Sequence, residues 1–118
     1  MALRSSTRRA ARPAPSVPDL DPVIHQRVRL GILSALAAGG ATSFTDLKTV
    51  LDLTDGNLSV HARKLEDAGY VAITKTHQRR TPVTFVELTR TGRRAFEDYT
   101  AALRALLDPA ADPSEVPS

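Results

Sequence analysis

The sequence predicts a mainly α-helical domain carrying one small β-hairpin, and three stretches predict it. Residues 53–70 have the marks of a self-contained helix. Thr54 can cap its N-terminus, Asp55 suits the positive end of the dipole, and Gly69 stands where a left-handed C-terminal cap is wanted. At about 100° per residue, Leu58, Ala62 and Leu65 share one narrow apolar stripe. Residues 46–51 form a second short helix, separated from the first by only Asp52-Leu53. Residues 70–76 and 83–88 alternate apolar with smaller or polar side chains, as half-buried strands do, around a six-residue tip.

Composition bounds what such a domain can be. The chain has 118 residues, an ordinary apolar share, no tryptophan and few aromatics, so the core must be aliphatic. A core this small gains from a partner subunit. Without cysteine there is no disulfide, no thiolate catalysis and no Cys-based metal site, which agrees with a reducing, cytoplasmic setting. No apolar run reaches membrane-spanning length, and the arginines of the N-terminus have no apolar segment behind them to make a secretory signal.

Residues 1–19 read as a disordered basic arm with Arg4, Arg8, Arg9 and Arg12, and residues 108–118 as a disordered acidic tail. The charges of the two nearly cancel, so the net +3 also belongs to the domain between them, residues 20–107. There the first helix is expected to open at Asp21-Pro22, run to Leu36 and end at Gly39-Gly40. Ile24, Val28, Leu33 and Leu36 keep helical spacing, while Leu30 and Ile32 widen the band, which suggests contact with both the core and a second subunit. Thr42-Ser43-Phe44 is an extended piece fit to pair with the hairpin. Ser43 or Thr45 caps the second helix, whose Leu47, Val50 and Leu51 face inward with Phe44. Two short helices across so tight a link are a helix-turn-helix. Thr91 is expected to cap the last helix, residues 92–107, stopped by Asp108-Pro109. Its stripe of Phe96, Tyr99 or Thr100, Leu103, Leu106 and Leu107 needs a partner, either the first helix or the same helix of a second chain.

The face of residues 54–68 opposite the stripe presents Gly56, Asn57, Val60, Arg63 and Lys64, with Ser59 and His61 on its flanks. Short polar groups near the N-terminus and cations further along suit an element laid against a base-pair groove. The tip, residues 77–82, holds Arg79 and Arg80 side by side, with Lys75 and His77 next to them. Such a loop is often merely solvated. Its place directly after the candidate reading helix favours phosphate or minor-groove contact.

The order helix, short strand, helix-turn-helix, basic hairpin and terminal helix resembles a winged helix-turn-helix domain of the bacterial transcriptional regulators related to the MarR and ArsR types. The likeness rests on residues 58–71, similar to the pattern Leu-Ser-x-His-Leu-x-x-Leu-x-x-x-Gly-Tyr/Leu-Val, and on Leu88-Thr89-x-x-Gly92-Arg93 at the turn into the last helix. Residues 20–25 and 55–61 resemble more narrowly the small stand-alone winged helix DNA-binding domains. Ala62 departs from the large aliphatic residue usual at its position, which suggests looser packing or compensation by Phe44 or Phe85. The resemblance implies a three-helix core with a two- to three-stranded wing sheet and a C-terminal dimerisation helix. It also implies a homodimer on a pseudo-palindromic double-stranded DNA operator, joined through the first and last helices. Asp55, Gly56, Asn57, Ser59, Val60, His61 and Lys64 then fall in the helix that meets bases and phosphates, and Arg79 and Arg80 in the wing.

Chemistry refines these roles. The Asn57 amide can bond adenine through donor and acceptor together, or it serves the first turn of its own helix. Val60 fits a thymine methyl. Ser59, His61, Arg63 and Lys64 suit phosphates, with His61 equally placed to pack at the edge of the stripe. Gly56 allows close backbone approach or is a tolerated small residue. An enzyme finds no support, for there is no phosphate loop and no motif-placed carboxylate pair. His25, His61 and His77 have no metal-ligand spacing, so neither metal nor other cofactor is expected. A small-molecule effector has no support either, and would have to lie between the terminal helices. The rival reading is a winged helix used for protein–protein assembly without DNA.

Overall fold

The computed structural model describes residues 19–108, and the arm and tail fall outside them apart from Asp19 and Asp108. Its elements are α1 (Arg27–Gly39), β1 (Thr42–Ser43), α2 (Phe44–Leu51), α3 (Asp55–Asp67), β2 (Val71–Gln78), β3 (Thr81–Leu88) and α4 (Arg90–Leu107). The strands form one antiparallel sheet in the order β1-β3-β2. Helices α1, α2 and α3 cover it at the base of the hairpin, where Ile32, Leu33, Leu36, Leu47, Leu58, Leu65 and Val86 are fully buried. The expected architecture is therefore present, with β1 supplying the third strand.

The first helix begins later than expected. Asp21 does start a turn: its carboxylate accepts from Val23 N (2.9 Å) and its carbonyl from His25 N (2.7 Å). The chain then straightens at Gln26 (φ −156°, ψ 134°), whose side chain accepts from Arg29 N and caps α1 instead. The cause is tertiary. The Arg29 guanidinium donates to the carbonyls of Pro22 and Val23, acceptors that a continuous helix would have used, and the separate turn drops Ile24 into the core. Most of the apolar band of α1 is covered within one chain: Val28, Ile32, Leu33 and Leu36 are buried against α2, α3, α4 and β3, while Leu30 is half-buried.

Ser43 caps α2, accepting from Asp46 N at 3.0 Å. Leu47 is buried as expected, but Val50 is 71% exposed. At about 100° per residue, Phe44 and Leu51 lie on one side of Leu47 and Val50 on the other, and the core takes the side with more apolar surface. Asp52 turns the chain in a left-handed conformation (φ 55°), with Leu53 N bonded to Lys48 O at 3.0 Å. Helix α3 follows the sequence closely. Thr54 Oγ accepts from Asn57 N (3.1 Å). Gly69 (φ 82°) closes the far end, with Gly69 N on Glu66 O and Tyr70 N on Leu65 O, the paired bonds of a Schellman cap.

Two further differences arise after α3. The strands run to Gln78 and from Thr81, so the six-residue tip shrinks to Arg79-Arg80, both at positive φ (52° and 70°). Pro82 is tolerated because it faces His77 across the ladder, next to the closing Gln78–Thr81 pair, where its missing N–H points away from β2 and beyond the reach of β1. The last helix is capped by Thr89 rather than Thr91. The Thr89 hydroxyl accepts from Gly92 N (2.9 Å) and donates to Gly69 O (2.6 Å), while Thr89 N donates to Tyr70 O. The corner after α3 thus chooses the cap.

Tyr70 also donates its hydroxyl proton to Asp21, which raises its pKa from 10.0 to about 12, with burial adding to the effect. A group whose folded pKa is raised stabilises fully below its unfolded value and loses that contribution as pH climbs toward the folded one. Wild-type urea midpoints should therefore fall between pH 10 and about 12. Tyr70→Phe, less stable at neutral pH, should show a smaller fall over that window; an equal fall would assign it to other groups.

Candidate nucleic-acid interface

Helix α3 buries Leu58, Ala62 and Leu65 and half-buries His61 and Glu66, so most of its remaining surface faces solvent. Asn57, Ser59, Val60, Arg63 and Lys64 are all exposed, Val60 by 54%. The pleat of the hairpin places Ile73, Lys75, Thr84 and Val86 on one face, because Ile73 pairs with Val86 and Lys75 with Thr84. Val86 carries that face into the core, so Lys75 stands two residues above it, toward α3. Between helix and hairpin lies an open groove of about 750 Å³, lined by Ser59, Val60 and Arg63 from one side and Ile73, Lys75 and Thr84 from the other. Ala62 and Phe44 form part of its wall, so Phe44 rather than Phe85 stands beside the small residue at position 62.

Charge within the site is only partly neutralised. Asp55 is held by Lys48 across the helix-turn-helix at 2.9 Å, so its carboxylate braces α2 to α3 rather than standing free. Arg63 approaches Glu66 only to 3.8 Å with 73% of its side chain exposed, a pairing too loose to withdraw it from a ligand. Among the described residues the Asn57 side chain has no hydrogen-bond partner; only its backbone serves the cap, which leaves the amide free. Gly56 has open space around it, so close approach from outside meets no side chain. Arg79 and Arg80 do not line the groove. They sit at the hairpin end, six to seven strand residues beyond the last core position, or roughly 20 Å at 3.3 Å per residue.

His61 differs from its neighbours. It is half-buried, and its Nδ1 lies 3.0 Å from Arg29 Nη1. Desolvation first, then the charges of Arg29 and Lys64, lower its pKa from 6.5. Its surroundings thus disfavour the charged imidazolium. Arg29 and Lys48 were missed by pattern reading, since each lies on a helix other than the one it serves. The only trace in the sequence is a cation set inside the apolar band of α1. Among the described residues no group of three His, Asp or Glu is placed to hold a metal, and no helix is long and apolar enough to cross a membrane.

The arrangement of helix pair, hairpin and groove can be compared with known proteins. A family model described as "Winged helix DNA-binding domain" matches residues 28–107. The chain belongs to this family. Its members are DNA-binding regulators and not enzymes, so β2 and β3 are the wing and α2–α3 the helix-turn-helix. An uncharacterized protein of Methanocaldococcus jannaschii, MJ0432, is 38% identical over 77 residues, covering 65% of this chain and 84% of its own. A transcriptional regulator homologue from Pyrococcus horikoshii is 37% identical, with a TM-score of 0.71 over 74% of this chain and 86% of that one. Both are archaeal, whereas the sequence pattern resembled bacterial regulators. The regulator BldR of Sulfolobus solfataricus shares the fold at 22% identity, with a TM-score of 0.60 over 75% of this chain and 65% of its own.

Proposed function

We propose that this winged helix protein binds double-stranded DNA sequence-specifically as a homodimeric, cytoplasmic transcriptional regulator. Helix α3 enters the major groove and the wing lies on the backbone or in the minor groove. The observation that carries the reading is the groove between α3 and the wing, with exposed Arg63 on one wall and Lys75 on the other, and with Asn57, Val60 and Lys64 exposed on the helix. An assembly module would have no use for cations on both walls. The overoxidized form of AbfR, which shares the fold at 20% identity and a TM-score of 0.63, has been solved bound to DNA, and this supports the partner class.

Roles divide by chemistry. Asn57 reads a base edge and Val60 meets a thymine methyl. Ser59, Arg63, Lys64, Lys75, Arg79 and Arg80 hold phosphates and set register, with Gly56 giving the backbone room. Asp55 acts through its brace to Lys48. Dimerisation falls to α4 and the nearby start of α1. Of α4's 18 residues only Gly92 and Tyr99 are buried, and Leu107 is 75% exposed, which leaves an apolar stripe for a second copy. Two reading helices then span successive major grooves of a pseudo-palindrome, about 34 Å apart.

A salt titration of duplex binding tests this reading. Arg63, Lys64, Lys75, Arg79 and Arg80 should together give a log–log slope of about −4 to −5 per subunit. Asn57→Ala should retain that slope while narrowing the preference for a selected duplex over mixed sequence by about tenfold. Affinity indifferent to salt, or no duplex binding, would support the assembly module.

A further inference from the structure

One polar contact behind α3 has no place in the roles above. Arg29 projects from α1, a helix that the proposed DNA contacts do not include. Its guanidinium is fixed at three points: Nε to Val23 O, Nη2 to Pro22 O at 3.4 Å, and Nη1 to His61 Nδ1 at 3.0 Å. An arginine stays protonated and carries only donors. Nδ1 of His61 must therefore accept, which leaves the ring neutral with its proton on Nε2. Among the described residues that Nε2–H has no acceptor, although the residue is half-buried. His61 stands on the flank of α3, one turn from the exposed Asn57 and Lys64, so a free Nε2–H at the edge of that face is a donor available to an acceptor on DNA.

We propose that Arg29 is a positioning residue for DNA recognition: its bond to Nδ1 holds His61 as the tautomer whose Nε2–H donates to an acceptor atom of the DNA. This rests on the DNA-binding reading above and adds a residue to it. The rigid fork of the guanidinium sets the orientation of the ring, and its anchorage on the turn of Pro22 and Val23 explains why that turn is broken away from α1. The charged groups facing His61 are Arg29 from α1 and Lys64 on its own helix; both are cations, so both oppose protonation of the ring. Loss of Arg29 removes one of these two cations, so the ring takes up a proton more readily in an Arg29 variant than in wild type.

The experiment has two parts. In the free protein, nitrogen NMR of the His61 ring at pH 7 should show Nδ1 bare and Nε2 protonated; a protonated Nδ1 overturns the proposal without any variant. DNA affinity is then measured from pH 7.5 to 5.5 for wild type, Arg29→Met and Arg29→Met with His61→Gln. All three carry His77→Gln, because His77 is exposed on the wing and would titrate in the same range. Arg29→Met should bind about fivefold more weakly at pH 7.5, the worth of one neutral hydrogen bond. That deficit should close toward pH 5.5 as the released imidazole gains a charge. The double variant, with a neutral amide donor at similar reach, should show no such closure. A deficit in Arg29→Met that is the same at every pH means that Arg29 is only structural and overturns the proposal. Loss that falls equally on selected and mixed duplexes assigns the acceptor to phosphate, and loss confined to the selected duplex assigns it to a base edge. If Arg29→Met does not fold, Arg29→Gln can still donate to a carbonyl of the Pro22–Val23 turn but lacks the charge and the fork, and the same closure is expected. A wild type that ignores DNA ends the parent reading too, whereas one that binds with a pH-independent deficit ends this one alone.

Discussion

Gly92→Ala is expected to cost about 3 kcal/mol or more and to lower the melting temperature by about 15 °C. A Cβ on Gly92 would stand 2.0 Å from Tyr70 O and under 3 Å from Tyr70 C and Cα. Those atoms are backbone, so no rotamer change relieves the overlap. Nor can either segment shift alone. Tyr70 is fixed on one side by the Schellman cap of α3 and on the other by Thr89 N, while Gly92 N is held by the Thr89 hydroxyl. The substitution must therefore separate the corner after α3 from the start of α4, and with it the cap that orders both. For a domain whose whole stability is about 5–13 kcal/mol, that is a large fraction. Gly31→Ala is the control. It lies inside α1 with Leu51 Cδ2 at an ordinary 3.5 Å, so the better helix former should stabilise by up to about 1 kcal/mol. Chemical denaturation of the two variants beside wild type checks both signs; a Gly92→Ala protein as stable as wild type would mean that the close approach at Tyr70 does not exist.

This pair also shows how far the sequence could be read. Helix α3 was legible because everything that defines it is local: the Thr54 cap, the Leu58-Ala62-Leu65 stripe and the glycine after its last turn all lie between Thr54 and Gly69. The wing strands and the short β1 were legible for the same reason, through alternation and spacing. Outside the wing tip, the differences come from contacts with other elements. Thr89 and Thr91 are equivalent as local caps, and only the carbonyls of Gly69 and Tyr70, some 20 residues upstream, favour Thr89. Asp21-Pro22 is a sound helix start that Arg29 interrupts from the following helix. Val50 keeps the periodicity of a core residue, yet the direction from which the core approaches α2 depends on where Phe44 and Leu51 find cover. In the candidate site, the exposed residues of α3 were visible in the pattern, while the bonds of Asp55 to Lys48 and His61 to Arg29 join different helices, and no spacing rule relates them.

The wing tip was misjudged for a different reason, and it supports the other large prediction. A two-residue turn with both residues at positive φ is the type I′ hairpin, for which Asn-Gly is the preferred pair. Arg79 and Arg80 have no intrinsic tendency toward that conformation, so pattern reading assigns them a longer loop. Each left-handed L-residue costs about 1–2 kcal/mol. Installing the preferred pair, as Arg79→Asn with Arg80→Gly, should therefore make the domain more stable by about 1–2 kcal/mol. The same variant removes two cations per subunit from the proposed DNA contact, so the salt slope should flatten by about 1.8 per subunit. At 0.15 M salt that slope corresponds to roughly thirtyfold weaker binding per subunit, similar for all duplex sequences because phosphates carry no code. Arg79→Ala with Arg80→Ala separates the two effects, since alanine keeps the unfavourable φ and loses the charge: affinity should fall as far, with no gain in stability. Strain kept at an exposed turn, where relief is only two substitutions away, fits a tip retained for its guanidinium groups. Unchanged affinity and slope in the stabilised variant would show that the arginines are merely solvated and that the wing holds no DNA.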